Sequence, residues 1–197
     1  MLTAARRQRA TVDGLLRYAR IQGAKASFGE VDLAQVARDV ISDLRDKLRD
    51  CAGSIQTGPS VRLRCDETLL RILLRQLMEN GLEFHQADIP PVVRVDARID
   101  GDWCEITVED NGKGFEPDDL HRMFQVFGRL HPRHQHEGTG LGLSMVQRIV
   151  ELHDGTITAT STKGQGSRFE ISLPHRAHER PHVAPALRTG FFGDDEE

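Results

Sequence analysis

The stretch Val108-Glu-Asp-Asn-Gly-Lys-Gly114 closes a run of alternating residues, Trp103 to Glu109, on a carboxylate followed by two glycines. A strand that ends at Asp110 holds that carboxylate at the mouth of a sheet, and the glycines let a flat ligand come close to backbone. The same residues also make an ordinary Asp-Asn-Gly turn, so the stretch alone decides nothing. Its neighbours in the chain decide the fold.

Upstream, Val92 to Ile99 alternates in the same way and is joined to Trp103 by the turn Asp100-Gly101-Asp102, which predicts two antiparallel strands after the break at Pro90-Pro91. Before that break, Asp66 caps a helix carrying Leu69, Leu70, Leu73, Leu74, Leu77 and Met78 on one face, with Asn80 near its end. Val61, Leu63 and Cys65 alternate like a half-buried strand. Asp32 with Gln35 three residues on resembles a capping box, opening one helix whose apolar face runs from Leu33 through Val36, Ala37, Val40, Ile41 and Leu44 to Leu48.

Downstream, Gly138-Thr-Gly-Leu-Gly142 precedes a helix with Val146, Ile149 and Val150 on its apolar side. Glycines at a helix start expose several N–H donors where the helix dipole favours negative charge, which suits phosphate oxygens; a flexible hinge would not require the helix start that follows, so phosphate binding is favoured. Thr156 to Ser161 and Arg168 to Leu173 predict a closing hairpin that turns at Gly164-Gln-Gly166. Between the two glycine stretches, residues 115–137 are polar, with a short helical piece near Pro117 to Phe124. A segment of that length without a core of its own is often functional.

The side chains suggest a division of labour. Asp110 beside open backbone suits an adenine, and the helix start suits phosphates. The amide oxygen of Asn80 suits a hard cation such as Mg²⁺, although a lone helical asparagine usually faces solvent. His131, His134 and His136 cluster in the polar segment, but their irregular spacing reads as solvated histidines before a metal site.

Composition narrows the classes. With 26 basic and 30 acidic residues interspersed along 197, the formal charge of −4 leaves no extended basic surface, and nucleic acid is not expected as a partner. Cys51, Cys65 and Cys104 form no Cys-x-x-Cys pair and no even set, which argues against a disulfide framework or zinc and fits a reducing cytoplasm. No apolar run approaches the roughly 18 residues of a membrane span, so no direct membrane contact is expected.

In order and spacing these motifs resemble the GHKL ATPase superfamily, and specifically the catalytic domains of sensor histidine kinases, over about residues 30–174. Leu73-Leu-Arg-Gln-Leu-Met-Glu-Asn80-Gly-Leu-Glu-Phe84 resembles the asparagine box, Asp110 to Gly114 the first glycine box, Phe124-Gln-Val-Phe127 the phenylalanine box and Glu137 to Gly142 the second glycine box. Gly164-Gln-Gly-Ser167 resembles the final hairpin. The resemblance implies an α+β fold, a two-layer sandwich of a mixed sheet against helices, with ATP under a mobile lid. It implies an ATP site drawn from Asn80, Asp110, Gly112, Gly114, Arg129, Gly138, Thr139, Gly140, Leu141, Gly142 and Ser167, with Mg²⁺ on Asn80.

Residues 1–22 favour helix, with Val12, Leu15, Leu16 and Ala19 forming a stripe that needs a partner. They resemble the second helix of the family's dimerisation and phosphotransfer hairpin, which implies a homodimer through this stem. Residues 23–29 read as a linker, 30–174 as the ATP-binding domain and 175–197 as a disordered tail.

The resemblance implies ATP-dependent phosphorylation of a histidine and a response regulator as partner, yet no histidine precedes His85. The phosphoacceptor is therefore expected on another segment or another protein. Gln76 stands where the family's kinases usually have asparagine, and hydrolytic relatives carry a water-activating glutamate there; an amide cannot act as that base. Glu83 replaces a common phosphate-contacting lysine and is expected to oppose the γ-phosphate unless Mg²⁺ or a lid arginine offsets it. A weakly active or non-catalytic nucleotide-binding regulator, or a GHKL-type serine kinase, is the alternative reading.

Overall fold

The computed structural model describes residues 2–128 and 139–175. Strands β2 (Ser54–Thr57), β4 (Val92–Asp100), β5 (Trp103–Asp110), β7 (Gly166–Pro174) and β6 (Thr156–Thr162) form one sheet in that order, β2 parallel to β4 and every other pair antiparallel. A second, two-stranded sheet pairs β1 (Gly29–Asp32) with β3 (Arg62–Cys65). Helices α2 (Leu33–Asp43), α4 (Glu67–Glu83) and α6 (Gly142–Leu152) pack together over the large sheet, and α1 (Leu2–Gln22) lies against α6. This is the expected two-layer α+β sandwich.

The alternation of the strands sorts the layers. Val93, Val95, Cys104, Ile106, Val108, Phe169, Ile171 and Leu173 point into the core, where they meet Leu70, Leu73, Leu74, Leu77 and Met78 of α4 and Val146, Ile149 and Val150 of α6. The opposite face is polar, and Arg168 bridges its cross-strand partner Glu109 and, at 2.8 Å, Glu170. Cys51, Cys65 and Cys104 are free; burial pushes the Cys65 and Cys104 thiols up to about 12, so neither forms a thiolate at neutral pH. Among the described residues, no helix is long and apolar enough to cross a membrane.

Four local details depart from what the sequence predicts. The single helix expected from Asp32 to Leu48 breaks at Leu44 (φ −92°, ψ 6°), and α3 (Arg45–Asp50) continues from there. Asp32 does cap α2, accepting from the Gln35 backbone N–H at 3.2 Å, but the Gln35 side chain turns to Asp39 and Arg38, so only half of the capping box forms. Strand β2 carried no usable pattern, since Ser54-Ile-Gln-Thr57 has one apolar residue; it forms because β4 offers an edge to pair with. The expected linker ends early, with Gly29 already paired to Cys65.

His153 ties the helical layer together. It is 3% exposed. Its Nδ1 faces the Ile149 carbonyl at 2.7 Å and its Nε2 faces the Asp66 backbone N–H at 3.0 Å. A carbonyl can only accept and an N–H can only donate, so the ring is neutral with its proton on Nδ1. Asp66 in turn caps α4 through Leu69 N–H and accepts from Ser27 N–H, while Phe28 meets the His153 ring edge-on.

Burial holds the His153 pKa below its usual 6.5, against smaller opposing effects of the Ile149 carbonyl, Asp66 and Asp154. A depressed histidine contributes stability that is present above about pH 6.5 and lost as pH falls through the folded value. The melting midpoint of the wild-type chain should therefore fall between pH 7 and 5 more steeply than that of His153→Gln, which is less stable at pH 7 but has no proton to take up. Parallel pH profiles would remove the neutral histidine as the cause.

Candidate nucleotide site

The C-terminal turn of α4, the end of β5 and the start of α6 converge at one edge of the sandwich. Asn80 and Gly81 sit on the last turn of α4, where a side chain at position 81 would meet Val93 and, at 3.1 Å, the Asp110 Cβ. Glycine at 81 thus lets the helix carrying Asn80 press against the strand carrying Asp110. The Lys113 N–H donates to the Phe84 carbonyl at 2.9 Å, fixing the first glycine box to the same helix end.

Asp110 is partly buried. Its Oδ1 accepts from the Gly112 N–H at 2.8 Å, and Ser167 is its cross-strand partner on β7. Burial raises its pKa above the usual 3.8, with the neighbouring Gly112 and Ser167 donors acting in the other direction. A carboxylate offers about four lone-pair positions. One is committed to the Gly112 N–H, which leaves acceptor capacity for a further donor.

The rest of the first glycine box is held by the β6–β7 hairpin. Gly114 has φ +64°, the left-handed region, and lies against the Thr162 carbonyl and the Ser161 hydroxyl. That hydroxyl accepts from the Phe115 N–H at 2.9 Å and donates to the Gly166 carbonyl at 2.7 Å, and the Gly164 N–H donates to the Lys113 carbonyl at 2.7 Å. Asn111 has a supporting part, its Oδ1 accepting from the Val92 N–H at 2.8 Å and its Nδ2 donating to the Pro90 carbonyl at 3.1 Å. Ser161 and Asn111 were not singled out from sequence, because nothing in a lone serine or in a turn asparagine marks its partner.

The second glycine box enters from the other side. Thr139 is half-buried, Gly140 has φ +73°, Leu141 is fully buried and Gly142 opens α6. A side chain at Gly142 would meet the Gln76 Oε1 at 2.7 Å, so Gln76 stands one helical turn before Asn80 and directly at the start of α6. In the segment between the boxes, Phe124 is buried and anchors α5 (Leu120–Phe124), whereas Val126 and Phe127 are exposed. Arg129 and Gly138, and the histidines at 131, 134 and 136, lie outside the described residues.

Glu83 differs from its sequence reading in one respect. Its carboxylate has a cation of its own, Lys47 of α3 at 3.5 Å, beyond a ladder in which Arg71 and Arg75 of α4 pair with Asp39 and Asp43 of α2. Lys47 lies upstream of every box, so its approach depends on how α3 follows the break at Leu44.

This fold, with a helix-borne amide, a strand-end carboxylate and a glycine-opened helix start at one edge, defines an ATP-binding domain of the GHKL class. A family model described as the histidine kinase-, DNA gyrase B- and HSP90-like ATPase matches residues 65–177, and the chain belongs to that family. It is 30% identical over 163 residues to the phytochrome-like protein Cph1 of Synechocystis sp., covering 83% of this chain and 22% of that protein. It is 31% identical over 196 residues to the sensor-like histidine kinase SenX3 of Mycobacterium tuberculosis, covering 93% of this chain and 47% of that one. Full-length ShkA in complex with AMPPNP superposes with a TM-score of 0.71 at 28% identity, covering 83% of this chain and 35% of that one. The chain thus spans less than half the length of these two curated relatives.

Proposed function

We propose that this chain is the ATP-binding catalytic part of a two-component sensor histidine kinase, which transfers the γ-phosphoryl group of ATP to a histidine supplied by a phosphotransfer segment outside residues 1–22. The carrying observation is the Asp110 carboxylate, braced by the Gly112 N–H with acceptor capacity remaining, opposite a glycine-opened helix start. The carboxylate would accept from the adenine amino group. The backbone N–H groups of residues 138–142, with Arg129 of the lid, would receive the phosphates.

Mg²⁺ fits the donor set, since Asn80 supplies a neutral oxygen on the helix end nearest Asp110 and the remaining ligands of such an ion are usually phosphate and water oxygens. When bound it would neutralise phosphate charge. What this chain itself contributes is positioning and exclusion of water. Gln76, at the α6 start, cannot deprotonate a water, which favours transfer to an external imidazole over hydrolysis. Residues 1–22 would act as the stem, pairing through Val12, Leu15 and Leu16, which are 54%, 40% and 53% exposed. Residues 30–174 would be the nucleotide domain, a response regulator the downstream partner and the cytoplasm the compartment.

The deciding experiment is incubation with γ-labelled ATP, with and without the segment encoded upstream. Acid-labile, base-stable label on that segment is the expected result. ATP binding without transfer to any histidine-bearing segment would leave a nucleotide-binding regulator as the better reading, and acid-stable label would point to a serine kinase.

Glu83 supplies a second test. With Lys47 opposing it, the repulsion expected of this carboxylate is offset, and Lys47→Ala should weaken ATP binding about two- to fivefold, within the range of an exposed ion pair of up to about 1 kcal/mol. Adding Glu83→Gln to Lys47→Ala should restore it. Equal affinity in all three proteins would show that Glu83 is electrostatically silent at the site.

A further inference from the structure

The stem helix has two faces. Val12, Leu15 and Leu16 are exposed, while Thr11, Gly14 and Tyr18 are half-buried and Ile21 is buried, a second stripe at three- and four-residue spacing that faces the nucleotide domain. Gly14 lies in the middle of this second stripe and in the middle of α1, where glycine weakens a helix relative to alanine. Its backbone lies outside the positive-φ region, so local geometry does not require it. Space does: a Cβ at position 14 would meet the Leu141 Cδ1 at 3.1 Å and the Thr139 side chain at 3.4 and 3.6 Å.

Both partners belong to the second glycine box. Leu141 is wholly buried, and its carbonyl accepts from the Met145 N–H at 3.0 Å and the Ser144 hydroxyl at 2.9 Å, so it sets the first turn of α6. Further along the stem, Tyr18 and Gln22 line a cleft of about 350 Å³ shared with Phe124 and Val126 of the phenylalanine box and Arg148 of α6. The stem therefore touches the segment before α6 at one point and borders the segment after α5 at another.

We propose that Gly14 is a positioning residue for the nucleotide site. By letting the stem seat on Thr139 and Leu141, it holds the second glycine box in the conformation that receives phosphate, so that the seating of the stem sets ATP affinity. This rests on reading residues 139–142 as the phosphate-binding segment. A turn fixed before the ligand arrives needs less ordering on binding, and affinity rises accordingly. The coupling is reciprocal: bound ATP must strengthen the seating of the stem by the same factor, which gives a displacement of the helix a route to the site and occupancy of the site a route to the helix.

The test uses the full chain, with the affinity of a non-hydrolysable ATP analogue and hydrogen exchange at residues 139–144 as readouts. Gly14→Leu should weaken binding about three- to tenfold and speed exchange at 139–144, with the melting midpoint of the nucleotide domain little changed. Arg20→Ala, an exposed stem residue outside both stripes, should leave both readouts as in wild type. Gly14→Ala separates the alternatives, because alanine favours the helix but crowds Leu141: a loss of about twofold in affinity is expected, whereas a gain would mean that helix stability alone matters and would overturn the proposal.

Unchanged affinity in Gly14→Leu, or an equal loss in Arg20→Ala, would overturn it as well. So would tighter binding in Gly14→Leu, which would make the stem an obstruction. Failure of the wild-type chain to bind the analogue would instead remove the proposed function. If Gly14→Leu does not fold, the alanine variant still decides.

Discussion

Asp110→Asn is expected to lower ATP affinity about ten- to a hundredfold, the equivalent of about 1.5–3 kcal/mol for a hydrogen bond to a charged group. The amide presents a donor where the adenine amino group also needs an acceptor. The effect on the fold should be small, because two changes oppose each other. Burial already disfavours the charged form of Asp110, whose pKa lies above 3.8, and the neutral amide relieves that burden. The amide also has one acceptor oxygen fewer to share with the Gly112 N–H.

The sign of the pH dependence follows. A carboxyl group with a raised folded pKa contributes stability below the unfolded value near 3.8 and loses it as pH rises through the folded value, whereas adenine binding needs the ionised form. Lowering the pH through that raised value should therefore weaken ATP binding without weakening the fold through this residue. Calorimetric titration of both proteins at several pH values checks this, and unchanged affinity in Asp110→Asn at neutral pH would sink the assignment.

Gly166→Ala is the second change with a large expected effect, and it acts through backbone. Gly166 has φ +111°, and a Cβ there would fall on the Asp110 carbonyl. Alanine meets both an unfavourable dihedral and a main-chain obstacle in the two central strands of the site. A loss of more than about 2 kcal/mol is expected, with a drop of roughly 5–10 °C in the melting midpoint. Because β5 and β7 are in register at Asp110 and Ser167, any relief by separating the strands also moves the carboxylate, and ATP affinity should fall along with stability. Gly164→Ala is the control: its φ of +79° carries the same kind of strain, but nothing lies within 4 Å of the added methyl. It should cost less stability and leave ATP affinity near wild type. Equal affinity losses in both variants would mean that turn strain, not displacement of Asp110, carries the effect.

Strands β4, β5, β6 and β7 and the long faces of α4 and α6 were legible in the chain because burial on one side imposes a period, two for a strand and about 3.6 for a helix, that survives as a pattern of residue types. Asn80, Asp110 and Gly140 stood out as candidates for a different reason: glycines and polar side chains at element ends have few structural uses, so their order carries information. What was not legible depends on partners distant in the chain. Strand β2 has no period, and the break at Leu44 has no glycine or proline to announce it. The pairs His153 with Asp66 and Ser161 with Phe115 join residues whose separation in sequence gives no hint of contact.

The N-terminal stem shows the same division within one helix. The stripe Val12, Leu15, Leu16 and Ala19 was evident from spacing, and its larger members stand exposed. The second stripe contains Thr11, Gly14 and Tyr18, too polar and too small to register as an apolar face, and only the approach of Thr139 and Leu141 gives Gly14 a meaning. By itself, then, the amino-acid sequence determined the layers, the order of the boxes and the identity of the side chains proposed to meet ATP. Tertiary structure alone decided how the Asp110 carboxylate is braced, which cation faces Glu83 and where the stem rests, because each is a contact between surfaces that no local pattern encodes.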